Sequence, residues 1–248
     1  MRPITRNIKL VIAYDGSGYL GWQIQPGART LQDTVEKALE RILGHPVRIY
    51  ASGRTDAGVH AFGQVINFHT PSAIPLDGLL RGLNSILPVD ISVLNAEEAA
   101  PGFHAQFQAR KKTYAYVIDT GPVRSPFLDR YAFHERSALD ASAMGASTGY
   151  LLGEHDFTSF LASGSSVKTT VRTITLSEII TLRNKVVFLI QGSGFLRYMV
   201  RNIVGTLLLV GRGKLPPEEM ERIIARKDRK FAGPTAPPQG LYLVNVEY

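Results

Sequence analysis

The chain has 248 residues, with 28 basic and 21 acidic side chains that leave a formal charge of +7, and it contains no cysteine. A chain of this length with 44% hydrophobic residues can form one large globular domain or two of ordinary size. The missing thiols exclude disulfides and thiolate metal sites, and the basic surplus suits an anionic partner such as nucleic acid. No apolar run is typical of a signal sequence or long enough for a membrane span, so we expect a cytoplasmic protein with no membrane partner.

The first 100 residues alternate between strand-like and helix-like patterns. The predicted elements are a strand at 9–14, a helix at 31–43, strands at 47–51 and 64–69, a helix at 75–87 and a strand at 90–97. Thr30 and Gly44 are predicted to cap the two ends of the first helix. The order β-α-β-β-α-β predicts a ferredoxin-like half at residues 1–100.

A break at 99–102 separates this half from a second one at residues 101–248. Its predicted elements are a strand at 111–118, a helix at 137–152, a loop at 161–168, a hairpin of 172–181 and 185–191, helices at 195–210 and 216–227, and a strand at 241–248. Apart from one extra helix, the ferredoxin-like order repeats. We therefore predict an α+β fold in which the two halves form one continuous, mostly antiparallel sheet, with helices on one face and an open cleft on the other.

The loop at 53–60 (GRTDAGVH) lies between two predicted strands and has a carboxylate, Asp56, at its centre. Glycines on both sides allow the loop to present Asp56 at an opening, and Arg54 is placed to hold a nearby anion. The alternative is an Asx-turn in which Asp56 bonds only its own backbone. A phosphate-binding loop is excluded, because Val59-His60 occupies the place where Lys-Ser/Thr is required.

The residues around Asp56 favour a site with a single carboxylate. The histidines form neither an HxxH nor an HxH pair, no GxSxG motif is present, and the adjacent sequence offers no second acid for a glycosidase pair. An arginine within about 4–6 Å lowers the pKa of a carboxyl group by roughly 1–3 units and keeps it ionised at neutral pH. Such a carboxylate suits attack at a glycosidic carbon or proton removal beside it.

Two arginines, Arg197 and Arg201, are one turn apart on the predicted helix at 195–210. One interpretation is a solvated stripe, although the helix is so apolar that little of it is left to face water. The other interpretation is a buried arginine, which requires a carboxylate, and Asp56 is then a candidate partner for Arg201.

Motifs along nearly the whole chain resemble those of the TruA family of tRNA pseudouridine synthases. The most specific is GRTDAGVHA at 53–61. The others are YDG at 14–16, GWQ at 21–23, DFTSF at 156–160, MVRNIVG at 199–205 and GLYL at 240–243. The resemblance implies an isomerase that converts uridine to pseudouridine at positions 38 to 40 of the tRNA anticodon arm, acting as a homodimer without metal or cofactor.

The resemblance also implies roles for individual residues. Asp56 is the catalytic carboxylate, Arg54 helps to hold the flipped nucleotide, and Arg201 pairs with Asp56. Tyr114 stacks on the uracil and assists proton removal from its carbon 5, and Leu243 is a further substrate contact. The base must leave its stack to react, which requires a pocket with an aromatic face and a polar edge.

A further segment resembles a tRNA-contacting stretch of the family. Its expected contacts are Phe103, His104, Gln106 and Phe107, although Gln106 replaces an expected arginine; Leu161, after the DFTSF motif, is another departure. Basic residues that are candidates for phosphate contacts are Lys111, Lys112, Lys168 and Arg172.

Two other classes of protein remain as alternatives. A non-catalytic RNA-binding module of ferredoxin-like fold would give Asp56 no use, and the sequence lacks an RNP1-type string of glycine and aromatics. A small-molecule enzyme with an anionic substrate at Arg54 would leave the basic surplus unexplained.

Overall fold

The computed structural model describes residues 5–164 and 167–248, and these residues contain ten strands and five α-helices. They form two compact units. Unit 1 consists of the chain up to Arg110 together with the C-terminal segment Leu243–Tyr248. Unit 2 consists of Lys111–Tyr242. This division differs from the predicted one after residue 100, because residues 101–110 and most of the last strand belong to unit 1.

The elements follow one another in an order close to the predicted one. The strands are β1 (Arg6–Tyr14), β2 (Tyr50–Ala51), β3 (His60–Thr70), β4 (Ile91–Ala99), β5 (Lys111–Asp119), β6 (Phe133–His134), β7 (Gly153–Asp156), β8 (Val171–Leu182), β9 (Lys185–Gly192) and β10 (Leu241–Glu247). The helices are α1 (Leu31–Leu43), α2 (Leu76–Ile86), α3 (Ala141–Thr148), α4 (Met199–Gly211) and α5 (Glu219–Arg226).

In unit 1 the strands are hydrogen-bonded in the order β4-β1-β3-β10, and β2 pairs with β3. Strand β1 is antiparallel to both neighbours, so that Val11 lies opposite Val65 and Asn95. The fully buried side chains of β1 and α1 form much of the core: Ile8, Leu10, Ile12, Leu31, Val35 and Leu39. Each such side chain stabilises the fold by about 1.5–3 kcal/mol. The predicted β-α-β-β-α-β order of this half is confirmed.

In unit 2 the strand order is β5-β9-β8-β7, antiparallel at every pair, and β6 lies parallel to β5. The core face of this sheet is lined by buried cross-strand pairs, with Tyr116 opposite Phe188 and Ile118 opposite Val186. Both units are mixtures of helices and mostly antiparallel strands, which confirms the predicted α+β class.

Unit 2 departs from the predicted pattern in three places. Strands β6 and β7 have two and four residues, too few to show a period, and they exist because β5 and β8 offer them backbone partners. The helix predicted at 137–152 shortens to α3, since Asp140 caps Ala143 at its start and a 3₁₀ turn follows from Gly149. The helix predicted at 195–210 begins only at Met199.

Within the predicted loop at 161–168, residues 165 and 166 lie outside the described part of the chain. None of the helices in residues 5–164 and 167–248 combines the length and apolarity needed to cross a membrane.

Candidate active site

Asp56 lies in the loop between β2 and β3 of unit 1 and is half-buried, whereas Arg54 is exposed and Thr55 is buried. The main-chain carbonyl of Asp56 accepts a hydrogen bond from the Val59 amide at 3.2 Å, which closes a turn. Gly58 within this turn has a φ of +77°, a left-handed conformation that favours glycine. The loop therefore turns sharply directly after Asp56.

Buried side-chain hydrogen bonds hold the residues that precede Asp56. The Tyr14 hydroxyl lies 2.8 Å from Oγ1 of Thr55. Ser52 Oγ donates to Gln64 Oε1 at 2.6 Å, and Gln64 Nε2 donates to the Gly53 carbonyl at 2.7 Å. Burial raises the pKa of the Tyr14 hydroxyl above its ordinary range, so it stays protonated and able to donate.

The YDG and GWQ motifs pack directly on the backbone of the Asp56 loop. The Trp22 amide donates to the Thr55 carbonyl at 3.0 Å, and the indole is only 2% exposed. A Cβ added to Gly21, whose φ is +87°, would lie 3.0 Å from that carbonyl oxygen, and one added to Gly16 would lie 2.0 Å from the Val59 oxygen. These glycines allow a backbone approach that any side chain would prevent, which explains why the motifs occur together.

His60, at the end of the loop, is buried. Its Nδ1 atom accepts a hydrogen bond from the Gly16 amide at 3.2 Å. The Asp15 carboxylate lies 3.2 Å from the same atom, a distance that would suit an ion pair only if Nδ1 were protonated. We therefore regard His60 as a support of the loop. In the described residues, no group of three or more His, Cys, Asp or Glu side chains is arranged to hold a metal ion.

Tyr114 lies on β5 of unit 2 and is 8% exposed. Its ring meets that of Phe195 edge to face, with centroids 5.1 Å apart and an interplanar angle of 79°. Tyr116, on the same face, donates its hydroxyl to the Pro237 carbonyl at 2.8 Å. Phe195, which lies in the segment directly before α4, thus fixes the orientation of the Tyr114 ring.

Arg201 lies in the first turn of α4 and is half-buried. Its Nε donates to the Ala236 carbonyl at 2.7 Å, and the Ala236 amide donates back to the Arg201 carbonyl at 3.0 Å. The guanidinium carbons of Arg201 and Arg197 each lie 4.9 Å from the centre of the Tyr198 ring. The solvated-stripe interpretation is therefore wrong for Arg201. Arg197 lies before the first residue of α4, so the two arginines do not share a face of this helix.

The MVRNIVG motif of α4 is explained by contacts with two other segments of unit 2. Asn202 Nδ2 donates to the Phe160 carbonyl at 2.8 Å, while its Oδ1 accepts from Arg229 at 3.1 Å and from Thr235 at 2.6 Å. A Cβ on Gly205 would lie 1.7 Å from the Pro234 oxygen. Sequence reasoning missed Arg229 and Thr235, because only their partner, Asn202, belongs to a recognised motif.

The DFTSF motif is a structural clamp in unit 2. Asp156 accepts hydrogen bonds from the hydroxyls of Thr158 and Thr170, both at 2.6 Å, and its carboxylate lies 3.1 Å from the Lys227 ammonium. Burial alone would raise the pKa of Asp156, but hydrogen bonds from Thr158, Thr170 and Lys227 outweigh burial and lower the pKa below its ordinary range. Asp156 thus connects β7 to the end of α5.

The expected RNA-contacting residues of unit 1 surround an exposed group of rings. The His104 ring stacks on Phe107 at a centroid distance of 4.2 Å and is tilted against Tyr50 at 4.8 Å. Phe107 is 78% exposed, and Gln106 is exposed as well. Phe103 is fixed by its carbonyl, which accepts from Asn7 and Asn67. Tyr50 was missed by sequence reasoning, since β2 showed it only as a strand residue.

The remaining predicted site residues divide between the units. Leu243 is fully buried on β10 of unit 1. Lys168 is exposed, and Lys111, Lys112 and Arg172 are half-buried, all four in unit 2. Unit 1 therefore holds Asp56 with Arg54 and Leu243, and unit 2 holds Tyr114 with Arg201 and the four basic residues.

Comparison with known proteins assigns the chain to a family. The profile of a family described as tRNA pseudouridine synthase matches residues 10–108 and 148–248. Proteins named tRNA pseudouridine synthase A from Geobacter sulfurreducens and Caldicellulosiruptor bescii are 48% and 47% identical, each covering 98% of this chain and 100% of the relative. A protein of the same name from Exiguobacterium sp. is 46% identical and covers 98% of both chains. The chain belongs to the tRNA pseudouridine synthase family.

Proposed function

We propose that the protein isomerises uridine to pseudouridine at positions 38 to 40 in the anticodon stem-loop of tRNA, with Asp56 as the catalytic carboxylate. The observation that carries the proposal is the Asp56 loop: a half-buried carboxylate follows a residue, Thr55, that is locked by the Tyr14 hydroxyl. Buried support of this kind directly before an acidic residue is typical of a site that must hold a reacting group in place.

The reaction requires that one bond break and another form within the same nucleotide. The bond between N1 of uracil and C1′ of ribose breaks, the base turns, and a bond forms between C5 and C1′. N1 gains a proton and C5 loses one, so atoms and charge balance without a co-reactant. An ionised carboxylate at Asp56 suits attack at the sugar or at the base.

The proposed roles of the other residues follow the family resemblance. Arg54 holds the flipped nucleotide, Arg201 pairs with the Asp56 carboxylate, and Leu243 contacts the substrate. Tyr114 stacks on the uracil and assists removal of the C5 proton. The contact of its ring with Phe195 supports this role, because a stacking platform must keep its orientation when no base is bound.

The same proposal includes the partners and the compartment. We take the protein to act as a homodimer in the cytoplasm, on tRNA, without metal or cofactor, as the family resemblance implies. The exposed rings around His104, with Phe103, Gln106 and Phe107, and the basic residues Lys111, Lys112, Lys168 and Arg172 are the proposed RNA contacts. Phosphate contacts position an RNA strand, and exposed rings stack on unpaired bases.

Tritium release from tRNA labelled at carbon 5 of uracil tests the proposal. Conversion at position 38, 39 or 40 should release label, and a tRNA whose uridines at these positions are replaced by cytidine should release none. The Asp56→Asn variant, which keeps the size of the side chain and loses its charge, should fold and bind tRNA but release nothing. Binding by the unaltered protein without release would instead favour a non-catalytic RNA-binding module, and turnover by Asp56→Asn would contradict the assignment of Asp56.

A further inference from the structure

Two basic residues of unit 2, Lys112 and Arg172, lie on the same face of the sheet as Tyr114. Lys112 on β5 pairs with Gly192 on β9, and Gly192 pairs with Ile174 on β8. Cross-strand partners share a face, and so do residues two apart on one strand. Tyr114 is two residues from Lys112, and Arg172 is two residues from Ile174, so all of them belong to this face.

Strand β9 lies between β5, which carries Lys112, and β8, which carries Arg172. At the position opposite Lys112, β9 has a glycine, Gly192, and therefore no side chain. A Cβ added to Gly192 would lie 2.7 Å from Ile174 Cδ1 and from the Thr173 oxygen, so glycine is required there. At Gly194, two residues further on, an added Cβ would lie 3.7 Å from Arg172 Nε. The Arg172 side chain therefore lies close to Gly194, two residues beyond Gly192, the cross-strand partner of Lys112.

The backbone holds the Arg172 guanidinium in this place. Its Nη1 donates to the carbonyl oxygens of Thr169 at 3.0 Å and of Val171 at 2.6 Å. Burial lowers the pKa of Arg172, and burial together with the Arg172 charge lowers the pKa of Lys112 to about 8. Throughout residues 5–164 and 167–248, no carboxylate forms an ion pair with Arg172. The Arg172 charge disfavours the ammonium form of Lys112, a penalty that an anion bound by both side chains would relieve.

We propose that Lys112 and Arg172 together bind one phosphodiester group of the RNA substrate, next to the nucleotide whose base lies at Tyr114. The proposal rests on the proposed function, since it takes RNA as the ligand. Arginine offers a planar fork of donors and lysine a compact charge, and phosphate oxygens accept from both. Lys112 and Tyr114 are about 7 Å apart along the strand, at ~3.4 Å per residue. The contact thus positions the reacting nucleotide without reading its sequence.

The salt dependence of tRNA binding tests whether the two residues share a phosphate. Each phosphate neutralised by a protein adds about 0.7–0.9 to the slope of log K against log salt. Lys112→Met and Arg172→Gln should each reduce the magnitude of this slope. The double variant should reduce it by no more than the contribution of one phosphate, about 0.7–0.9. A loss of about 1.4–1.8 in the double variant would mean two separate phosphates, and unchanged slopes would mean none; both results contradict the proposal. Arg183→Gln, an exposed cation at the β8–β9 turn, is the matched control and should leave the slope unchanged.

A neutral-backbone scan tests the site with the unaltered protein, so it does not depend on any variant folding. Each phosphate near the target uridine is replaced in turn by an uncharged methylphosphonate. One position should weaken binding by about tenfold or more, the factor that one charge-assisted hydrogen bond supplies, and the same replacement should have no further effect on the double variant. A scan with no such position overturns the proposal. A protein that shows this position but releases no tritium would contradict the proposed isomerisation alone.

Discussion

The Tyr14 hydroxyl and Oγ1 of Thr55 lie 2.8 Å apart, although 41 residues separate them in sequence. Both residues are buried, and the bond joins strand β1 to the residue directly before Asp56. A hydroxyl in this setting has no water to replace a lost partner, so the bond restricts where the Asp56 loop can settle. The position of the proposed catalytic carboxylate thus depends on a tyrosine that need not touch the substrate.

Tyr14→Phe should therefore reduce kcat more than it reduces tRNA affinity. The Thr55 hydroxyl loses a buried partner, which should cost about 1–3 kcal/mol of unfolding free energy. Tyr19→Phe is the control, because that hydroxyl also donates within unit 1, to Asp90 at 2.6 Å, but does not contact the Asp56 loop. Thermal unfolding, Kd and kcat are measured for both variants. An equal loss of kcat in the two would mean that stability alone is responsible and that Tyr14 has no positioning role.

Tyr114→Phe should retain the ring that faces Phe195 and lose only the phenolic oxygen. If that oxygen moves the C5 proton, the rate should fall by roughly a hundred-fold or more, the range that general acid–base catalysis supplies. Affinity for tRNA should stay within a few-fold, since stacking is preserved. The control is Tyr116→Phe, which removes a hydroxyl bonded to Pro237 on the same strand face. Single-turnover rates decide the point, and a Tyr114→Phe enzyme as fast as the control would leave Tyr114 as a stacking platform only.

Lys112→Met should make the protein more stable at neutral pH, and this advantage should shrink in alkali. Burial and the Arg172 charge lower the pKa of Lys112 from 10.5 to about 8 in the folded protein. The unfolded chain therefore binds more protons than the folded one between about pH 8 and pH 10.5, and stability rises with pH in this window. Lys112→Met lacks this pH-dependent contribution. The Tm of the variant should therefore exceed that of the unaltered protein by most near pH 7 and by less at pH 10. A lead that does not vary with pH would show that the Lys112 ammonium is not destabilised by folding.

Local sequence patterns were sufficient to predict the elements of unit 1 and the loop that carries Asp56. Hydrophobic periodicity and glycines are properties of neighbouring residues, and they placed α1 at its observed bounds. Thr30 lies at the predicted N-cap, yet its hydroxyl forms no cap hydrogen bond. Its carbonyl accepts hydrogen bonds from both the hydroxyl and the amide of Thr34. Position was thus predictable, whereas the partner of a side chain was not.

The features that sequence reasoning missed depend on backbone conformations and side-chain contacts that hydrophobic periodicity does not record. Helix α4 starts late because Tyr198, directly before it, has a φ of +63°. A left-handed conformation costs an ordinary residue roughly 1–2 kcal/mol, and here the two arginines against the ring help to offset that cost. The periodicity of apolar residues does not indicate which residue adopts a left-handed conformation. The bonds from Arg229 to Asn202 and from Tyr14 to Thr55 are hidden for the same reason.

The proposed pairing of Arg201 with Asp56 predicts energetic coupling between the two residues. Arg201→Met loses the bond to Ala236 and the contact with Tyr198 as well, so its own loss of stability mixes several terms. A double-mutant cycle with Asp56→Asn removes those terms. Both residues are half-buried, so the coupling should be about 1–3 kcal/mol, below the roughly 3–5 found when one partner of a fully buried pair is removed.

The matched control for this cycle is Arg197→Met. The guanidinium carbon of Arg197 lies at the same 4.9 Å from the Tyr198 ring, but Arg197 is exposed. It is not part of the proposed pair with Asp56. The cycle of Arg197→Met with Asp56→Asn should therefore show coupling near zero. Arg201→Met should also abolish activity, because Asp56 loses its orientation, and the double variant should regain stability without regaining activity. Thermal unfolding at one salt concentration measures both cycles, and equal coupling in the two would rule out a specific pair between Arg201 and Asp56.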